Sequence, residues 1–361
     1  GNQSTAVGYQ AGRDVTIGLY GTYIGYLAGA NVTTGSYNVA LGRSSLTTNT
    51  TGTSNTALGT EALNSNDTAN NNTAVGYQAL DANTTGNHGT AVGYQALSTS
   101  TTAAGNTAVG YQAYLSNTTG VDGVAIGKFA LKSDTTGYHN VAVGQSALTA
   151  NTTGLINVAV GKSALESNTT ASGNTAVGNQ AGKDTTTGYH NVALGSFALS
   201  ANVTGNQNVA IGYESLFNHT GNNTTAVGHD SLKALTSGIG NTAVGYLSLT
   251  ATTTGTDNTA VGYLAGDAVT TGARNTFIGS DSGGTLTTGT QNTAIGDSAF
   301  KSGTTSANNV DIGYASLDAD TLGSRSTAVG YNALSSQNFT SATNSNNTAV
   351  GFNSLLSIFS S

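Results

Sequence analysis

Asn106-Thr107-Ala108-Val109-Gly110-Tyr111-Gln112-Ala113 is the stretch that decides the fold of this chain, because variants of it recur from Ser4 to Ser354. Its central glycine occurs twenty-one times in the 361 residues, 17 residues apart except for one step of 16 and one of 21. The copies lie at positions 8, 25, 42, 59, 76, 93, 110, 127, 144, 161, 178, 195, 212, 228, 245, 262, 279, 296, 313, 330 and 351. A short fixed period indicates a solenoid or an array, so each of these glycines is taken as position 0 of one repeat.

The composition is weakly charged and rich in glycine. Charged residues make up 7% of the chain, the net charge is −7, and 50 residues are Gly, with no Pro, Cys, Met or Trp. Such a chain has no basic patch for nucleic acid or an anionic membrane, no disulfide or thiolate chemistry, and no apolar run long enough for a membrane helix. It begins within a repeat and without an initiator Met, so we expect it to be a piece of a longer protein.

The residues before each glycine predict a short strand. Position −1 is Val in twelve copies, Ile in six and Leu in three, and position −3 is always Thr or Val. Because side chains alternate along a strand, we expect −3 and −1 (Thr107 and Val109) to point into the coil and −2 (Ala108) to point outwards. Helix is excluded, since the repeat has no 3.6-residue apolar stripe.

Position −2 is unexpectedly uniform for an outward position. It is Ala in eighteen of the twenty-one copies, which predicts that a partner chain packs closely against it, most simply in a parallel homotrimer. Tyr23, Phe277 and Asp311, the exceptions, would then mark changes in the partner surface. The alternative is that small residues suit a tightly curved coil.

Positions +4 and +7 predict the rest of the core. Position +4 is Leu in fourteen copies, an aromatic in two (Tyr114 and Phe300) and Gly in five. The five glycine copies, at 12, 29, 182, 266 and 283, carry a Val, Thr or Leu at +7, at 15, 32, 185, 269 and 286, where other copies are mostly polar. Loss of one large side chain and gain of another keeps packing density constant if the two fill one slot.

Two further positions predict ladders between stacked coils. Asn occupies position −4 in fifteen copies and Tyr occupies position +1 in ten. Stacking would align these into an Asn ladder with coil-to-coil hydrogen bonds and an interrupted Tyr stack. Both ladders are interpreted first as structural.

These patterns predict an all-β fold, a parallel β-solenoid of about 21 coils of 17 residues, each coil with two short strands and two turns. We expect one continuous array over residues 1–361, with loop variants at 213–227 and 335–346, where the spacing changes, and a possible cap at 352–361. Terminal coils of a repeat array need such caps.

The motif Asn-Thr-Ala-Val-Gly-Tyr-Gln-Ala and its relatives at 140–147 and 208–215 resemble the head repeats of YadA-like trimeric autotransporter adhesins. Long arrays of this kind are also similar to those of phage tail fibres and bacterial surface fibres. The resemblance covers nearly the whole chain and implies a left-handed, trimeric, extracellular β-roll with an adhesive or structural role. The family's coil is typically shorter than this one, and no helical stalk, membrane anchor or chaperone domain is recognised here.

Sites with specific chemistry are weakly indicated. No catalytic triad, zinc motif or phosphate loop occurs, so we predict no enzyme and no catalytic, cofactor-binding or metal site. His88, His139 and His190 share position −5 and would ring an axis in a trimer, but solvated side chains are the simpler interpretation. Sequons at Asn31, 49, 83, 117, 151, 168 and 202 are expected on an exposed turn, where glycosylation is geometrically possible.

The predicted function is an extracellular or virion-surface structural and adhesive fibre segment, with itself as partner in a homotrimer. A host-cell, matrix or glycan receptor is a further expected partner, and the row Tyr77, Tyr94 and Tyr111 is the expected place of weak contact. Two alternatives remain, a subunit of a polymeric surface filament or sheath and an ice-binding β-solenoid. The Thr pairs at +8 and +9 argue against the latter, since adjacent residues point to opposite sides of a strand.

Overall fold

The computed structural model describes residues 3–339 and 341–355. Within them the chain forms about 20 turns of a parallel β-solenoid with a spacing of about 17 residues and no helix, so the predicted fold class is confirmed. Each regular coil has one three-residue strand, not two, and turns make up the remainder. The chain divides into two compact units, residues 1–180 and 181–361.

The N-terminal unit contains eleven parallel strands, each paired in register with the equivalent strand of the next coil. They are β1 Thr5–Val7, β2 Thr22–Ile24, β3 Val39–Leu41, β4 Thr56–Leu58, β5 Thr73–Val75, β6 Thr90–Val92, β7 Thr107–Val109, β8 Val124–Ile126, β9 Val141–Val143, β10 Val158–Val160 and β11 Thr175–Val177.

The C-terminal unit repeats this arrangement, with pairing in register from β12 to β19 and on to β21 and β23. A separate two-stranded ladder joins β20 to β22, which lies inside the long loop variant at 335–346. The strands are β12 Val192–Leu194, β13 Val209–Ile211, β14 Thr225–Val227, β15 Thr242–Val244, β16 Thr259–Val261, β17 Thr276–Ile278, β18 Thr293–Ile295, β19 Val310–Ile312, β20 Gly323–Ser324, β21 Thr327–Val329, β22 Thr343–Asn344 and β23 Thr348–Val350.

The strands face the opposite way from the sequence-based prediction. Ala108 is fully buried, whereas Thr107 is only half-buried and Val109 is 36% exposed, and the same pattern recurs in the other strands. The prediction that −3 and −1 point inwards and −2 outwards is therefore wrong. A three-residue strand puts one side chain on one face and two on the other, and the interior of this thin coil accepts the single small one.

The interior of a regular coil is built from a small and a large side chain. Ala at −2 and Ala or Ser at +3 lie inside together with Leu at +4, for example Ala74, Ala79 and Leu80, all essentially inaccessible to solvent. The prediction that +4 lies inside is confirmed. Position +7 is also inside, both in the glycine copies (Val32 and Leu286) and where it is polar (Asn83).

Tyr23 and Phe277 are interior side chains, so the prediction that they mark a partner surface is wrong. Tyr23 is 1% exposed and Phe277 is fully buried. The Tyr23 ring occupies the space beside Gly29, where any side chain would overlap it, and a β-carbon on Gly12 would lie 3.0 Å from Tyr23 Cδ2. Position +4 is thus glycine because the large side chain at −2 fills its place.

The same compensation surrounds Phe277, whose ring Cδ2 would lie 2.7 Å from a β-carbon on Gly266. Gly283 on the other side is equally close to the ring. Tyr23 and Phe277, which lie in different units, are therefore accommodated in the same way. Position +4 is glycine both in the coil of the aromatic residue and in the coil that precedes it. Close packing explains the pairing, since the interior has no spare volume for both side chains.

The predicted Asn ladder at position −4 is confirmed. The backbone N–H of Asn55 donates to Asn38 Oδ1 at 3.0 Å, and Asn55 Oδ1 accepts from the N–H of Asn72 at 3.0 Å. Each amide nitrogen also donates to a turn carbonyl, as from Asn38 Nδ2 to Gly52 O at 2.8 Å. These buried amides are satisfied from coil to coil, as buried polar groups require.

The coil closes through residues with positive φ. Gly110 has φ of 137°, and a β-carbon there would lie 2.7 Å from the carbonyl oxygen of Gly127 in the next coil. Non-glycine residues also adopt the left-handed region, including Gln78 at 53° and Leu80 at 49°. This region costs about 1 kcal/mol or more for a residue with a β-carbon, so burial of Leu80 offsets local strain.

Candidate interaction surface

In each unit, the outward side of the long parallel sheet carries two continuous rows of uncharged side chains. The rows are Thr or Val at −3 and Val, Ile or Leu at −1, with no charged residue in any of the twenty-one copies. Leu41, Ile126 and Ile278 are between 39% and 42% exposed. We call these two rows the aliphatic face.

The aliphatic face of one unit can be compared in area with the apolar patches of ordinary monomers. Ten strand spacings in the N-terminal unit correspond to about 48 Å, and the rows are about 10 Å wide, which gives roughly 500 Å². The largest apolar patch on a typical monomer is about 300–600 Å² and often functional. The face of one unit therefore falls within the size range of the largest apolar patch of an ordinary monomer.

Tyrosines at +1 border the aliphatic face and confirm the predicted interrupted stack. Tyr77 and Tyr94 stack with ring centroids 5.3 Å apart, and Tyr94 and Tyr111 at 5.1 Å with an interplanar angle of 8°. In the C-terminal unit, His229 takes the place of a tyrosine between Tyr213 and Tyr246. The rings are exposed at their edges but cover one another's faces.

Position +2 carries an amide ladder beside the first stack. Gln95 Nε2 donates to Gln78 Oε1 and Gln112 Nε2 donates to Gln95 Oε1, both at 2.9 Å. Gln78 in turn donates to Glu61 Oε2 at 2.9 Å, and this bond is the main cause of a lowered Glu61 pKa. Gln-to-Gln bonding fixes the side chains that flank the tyrosines.

Charged side chains on the surface form pairs and one small cluster. Lys301 Nζ lies 3.1 Å from Asp281, and Lys233 bridges Glu214 and Asp230. Exposed pairs of this kind contribute about 1 kcal/mol or less. They are solubility features of the turns and not a charged binding patch.

Asp134, His219 and Asp311 are ionisable side chains that lie in the interior, as does Asp320, and none of them was predicted to be interior from the sequence. Burial raises the pKa of the Asp134 carboxyl to about 6 and lowers the pKa of the His219 imidazole to about 4. Burial, followed by the nearby Asp320, raises the pKa of Asp311 well above its ordinary value. Asp134 and His219 occupy position +7 and Asp311 position −2, which are interior positions in the structure; the sequence prediction placed −2 outside and therefore gave no signal for Asp311.

Asp134, His219 and Asp311 differ in how they are satisfied. Asp134 Oδ1 accepts from the N–H of Gly137 at 2.8 Å, and Oδ2 accepts from Asn140 at 3.1 Å. Both nitrogens of His219 and both oxygens of Asp311 lack a hydrogen-bond partner. The prediction that Asp311 marks a partner surface is wrong, since this side chain is fully buried.

The predicted site residues fall in two environments. His88, His139 and His190 are exposed at the turn, as expected for solvated side chains, and no cluster of three or more His, Cys, Asp or Glu suited to a metal ion occurs in the described residues. The expectation of exposed sequons is wrong, because the six from Asn49 onwards are fully buried: 49, 83, 117, 151, 168 and 202. Asn31 is only half-buried.

The Thr pair at +8 and +9 divides as expected. Thr118 Oγ1, at +8, donates to the carbonyl of Thr135 in the next coil at 3.0 Å, while Thr119, at +9, is exposed. The C-terminal cap, predicted at 352–361, lies outside the described residues beyond position 355, and Phe352 stacks on Tyr331 at 5.1 Å.

No helix in the described part of the chain is long and apolar enough to cross a membrane. Comparison with known proteins gives no protein-family model that matches the chain and no curated protein with a significant match.

Proposed function

We propose that this chain is a structural and adhesive segment of an extracellular fibre, that it is not an enzyme, and that it self-associates through the aliphatic face. The observation that carries the proposal is the absence of any charged residue from both rows of that face in a chain with a net charge of −7. Charged residues occur instead in the turns and at positions +1 and +2, apart from the buried Asp311 at −2. Such a distribution is typical of a surface that another apolar surface covers.

A second copy of the chain is the occupant that fits this face best. Each copy presents the same flat rows at the same spacing along the sheet, so identical faces are complementary in length and in period. A homotrimer would bring three such faces together around one axis and leave the turns in solvent. Receptor contacts with a cell, a matrix or a glycan would then involve the turns and positions +1 and +2.

The test is oligomeric state with charges placed on two different surfaces. Wild-type protein is expected to be trimeric by light scattering at micromolar concentration, and the double variant Val109→Glu/Ile126→Glu, on the aliphatic face, is expected to be monomeric. The matched control Thr119→Glu/Thr136→Glu adds the same charges to exposed turn positions of the same two coils and is expected to stay trimeric. A folded wild-type monomer would refute self-association.

Electron microscopy of the same samples separates a discrete fibre segment from a polymeric filament or sheath. Particles of one fixed length support the segment, and filaments of indefinite length support the alternative. A filament would form by axial, end-to-end stacking of copies, so the glutamate variant tests the trimer and electron microscopy tests the filament.

Ice binding is a second candidate, supported by the outward Thr residues at position −3 and not by the Thr pairs at +8 and +9. Fourteen of the twenty-one outward −3 residues are Thr and seven are Val, and they lie on the outward side of the strands beside the Val, Ile or Leu residues at −1. Thermal hysteresis of a wild-type monomer would favour this candidate. A trimer without thermal hysteresis would exclude it.

A further inference from the structure

The aliphatic face of each coil is bordered by two exposed positions, −5 at one edge and +1 at the other. In the repeat that contains strand β8 they are Asp122 and Lys128, and both side chains are exposed. The two charges are opposite and belong to the same level of the sheet. They lie six residues apart, about 20 Å along an extended chain, so within one chain they stand at opposite edges of the face.

Both charged groups lean towards the preceding coil. The Asp122 carboxylate lies where a β-carbon on Gly105 would be, and the Lys128 ammonium lies 5.9 Å from the centroid of the Tyr111 ring. Asp122 Oδ2 is 3.6 Å from Nε2 of the exposed His139 imidazole. Lys128 forms no ion pair with any described residue. The ammonium is therefore available to a carboxylate of another copy, at the level at which Asp122 ends.

No repeat carries like charges at its two edges. Among the twenty-one repeats, four have a charged residue at −5 and four at +1, and only the repeat of strand β8 has both. In two further repeats an arginine at one edge stands opposite a tyrosine at the other, Arg43 with Tyr37 and Arg325 with Tyr331, and an aromatic ring attracts a cation. Edges of the two kinds can therefore meet without repulsion.

A ring of parallel copies brings edges of the two kinds together. Each interface of a ring joins two different surfaces, so the −5 edge of one copy meets the +1 edge of the next. With all copies at the same height, Asp122 of one copy faces Lys128 of its neighbour. A slip by one coil would place Asp122 opposite Tyr111 or Gln145 instead.

We propose that Asp122 and Lys128 form an ion pair between neighbouring copies, and that this pair holds the copies at the same height. The inference rests on the proposed self-association through the aliphatic face. That face repeats from coil to coil, and register is weakly specified where nothing distinguishes one level from the next. The Asp–Lys pair occurs at one level only. Complementary charges of this kind fix register and partner choice more than they add affinity.

The test reverses the charge at each edge of the full chain and then at both. Asp122→Lys and Lys128→Asp are each expected to raise the concentration at which half of the trimer dissociates roughly tenfold or more at low ionic strength, because three attractions become three repulsions. Asp122→Lys/Lys128→Asp, which exchanges the two charges, is expected to lie within about threefold of wild type. In about 1 M NaCl the four proteins are expected to dissociate alike, since salt screens exposed charges.

Analytical ultracentrifugation over a dilution series measures dissociation, and the rate of subunit exchange between labelled copies ranks trimers that are too tight to dilute apart. The matched control is Asp257→Lys. Asp257 is also exposed at −5 with its carboxylate over a glycine, Gly240, but its repeat has Tyr263 at +1. This variant is expected to stay within about twofold of wild type, because no lysine of the neighbouring copy faces it.

Three results would overturn the ion pair: unchanged dissociation in both single variants, equal weakening in Asp257→Lys, or no recovery in the exchanged variant. A wild-type monomer would instead refute the proposed self-association, so the two failures are distinguishable. Circular dichroism checks that each variant is folded. Because the two single variants act from opposite edges, a misfolded one leaves the other to decide.

Discussion

The two units build the same coil but fill its inner +7 position differently. In the N-terminal unit this position is mostly Asn, and Asn66 Nδ2 donates to Asn49 Oδ1 at 2.8 Å while Asn83 Nδ2 donates to Asn66 Oδ1 at 3.0 Å. In the C-terminal unit the row after Asn202 is mixed, with residues 219, 235, 252, 269, 286, 303, 320 and 337 as His, Leu, Thr, Val, Leu, Gly, Asp and Gln.

This difference teaches that the interior position is neither apolar nor polar by requirement. An amide there is stable where the coils above and below offer partners, and a Leu such as Leu286 is stable where they do not. Phe300 shows the same tolerance, since its ring fills the space that Gly303 leaves at +7 in its own coil. What the coil demands at this position is full occupancy, whereas hydrogen bonding is incomplete there, since Thr185, His219 and Thr252 carry buried polar atoms without a partner.

The largest expected effect concerns what both units share, the aromatic residue packed between +4 glycines. Tyr23→Ala is expected to lower the free energy of unfolding by about 4 kcal/mol, because a buried ring is replaced by a cavity. Chemical denaturation followed by circular dichroism measures this change. Tyr26→Ala, which removes a 50% exposed ring three residues away, is expected to cost less than about 1 kcal/mol.

A double variant sharpens the same point. Tyr23→Ala/Gly29→Leu recreates the regular Ala and Leu pair, so we expect it to be more stable than either single variant. Additive losses in the double variant would contradict the packing explanation, since coupling is expected for residues in direct contact.

The next effect tests the asparagine row itself. Asn66→Leu leaves Asn49 Oδ1, the amide of Asn83 and the carbonyl of Ala69 each without one partner, and we expect a loss of about 3 kcal/mol, since each buried unsatisfied group costs about 1–3 kcal/mol. Denaturant midpoints and backbone hydrogen exchange in the three coils measure this loss.

The reciprocal change in the other unit completes the comparison. Leu286→Asn is also expected to destabilise, because Val269 and Gly303 in the neighbouring coils offer no side-chain partner. Val269→Asn/Leu286→Asn, which creates two adjacent rungs, is expected to cost less than the sum of its single variants. A wild-type stability for Asn66→Leu would show that the row is dispensable.

A fall in pH is expected to change the free energy of unfolding in opposite directions through the two buried ionisable +7 residues, Asp134 in the N-terminal unit and His219 in the C-terminal unit. His219 stays neutral in the fold with a pKa of about 4 against 6.5 ordinarily, so its contribution is lost as pH falls from 6.5 to about 4. At about 1.4 kcal/mol for each pH unit, the loss is on the order of 3 kcal/mol. Asp134, with a pKa raised from 3.8 to about 6, destabilises the fold instead as pH rises through that range.

Asn substitutions separate the contributions of His219 and Asp134 to the pH dependence of stability. His219→Asn is expected to remove the loss of stability on the acid side, and Asp134→Asn to raise stability above pH 6 and leave it nearly unchanged below pH 4. Denaturation curves from pH 3.5 to 8 give both. Parallel pH profiles for wild type and either variant would contradict the burial of that residue.

The smallest effect concerns Asp311, the carboxyl at an alanine position. Asp311→Ala is expected to stabilise the protein at pH 7 by about 2 kcal/mol, because it removes a buried carboxyl without a partner. Since the pKa of Asp311 is raised above 3.8, the gain grows as pH rises above that value. The control Asp297→Ala, at an exposed position one coil earlier, is expected to change stability by less than about 0.5 kcal/mol; an equal gain there would indicate a general charge effect.

The sequence by itself determined the period, the parallel stacking and the ladders. Twenty-one glycines at nearly constant spacing allow one kind of coil, and stacking then aligns Asn38 with Asn55 and Tyr77 with Tyr94 whatever the direction of the side chains. Position +4 was also predictable as interior, because Leu recurs there in fourteen copies of a weakly apolar chain.

The tertiary structure alone decided which side of the strand faces in. Side chains alternate along a strand, so a three-residue strand can bury either its middle residue or its two outer residues. The aliphatic residues at −3 and −1 suggested the second arrangement, which is wrong. The space opposite Leu80 admits only a small residue such as Ala74, so the larger side chains lie outside. The same narrow interior explains why Leu80 adopts a positive φ and why a large side chain at position 23 goes with glycine at position 29. The volume of that interior is fixed only when each coil packs against its neighbours, so the sequence alone did not reveal it.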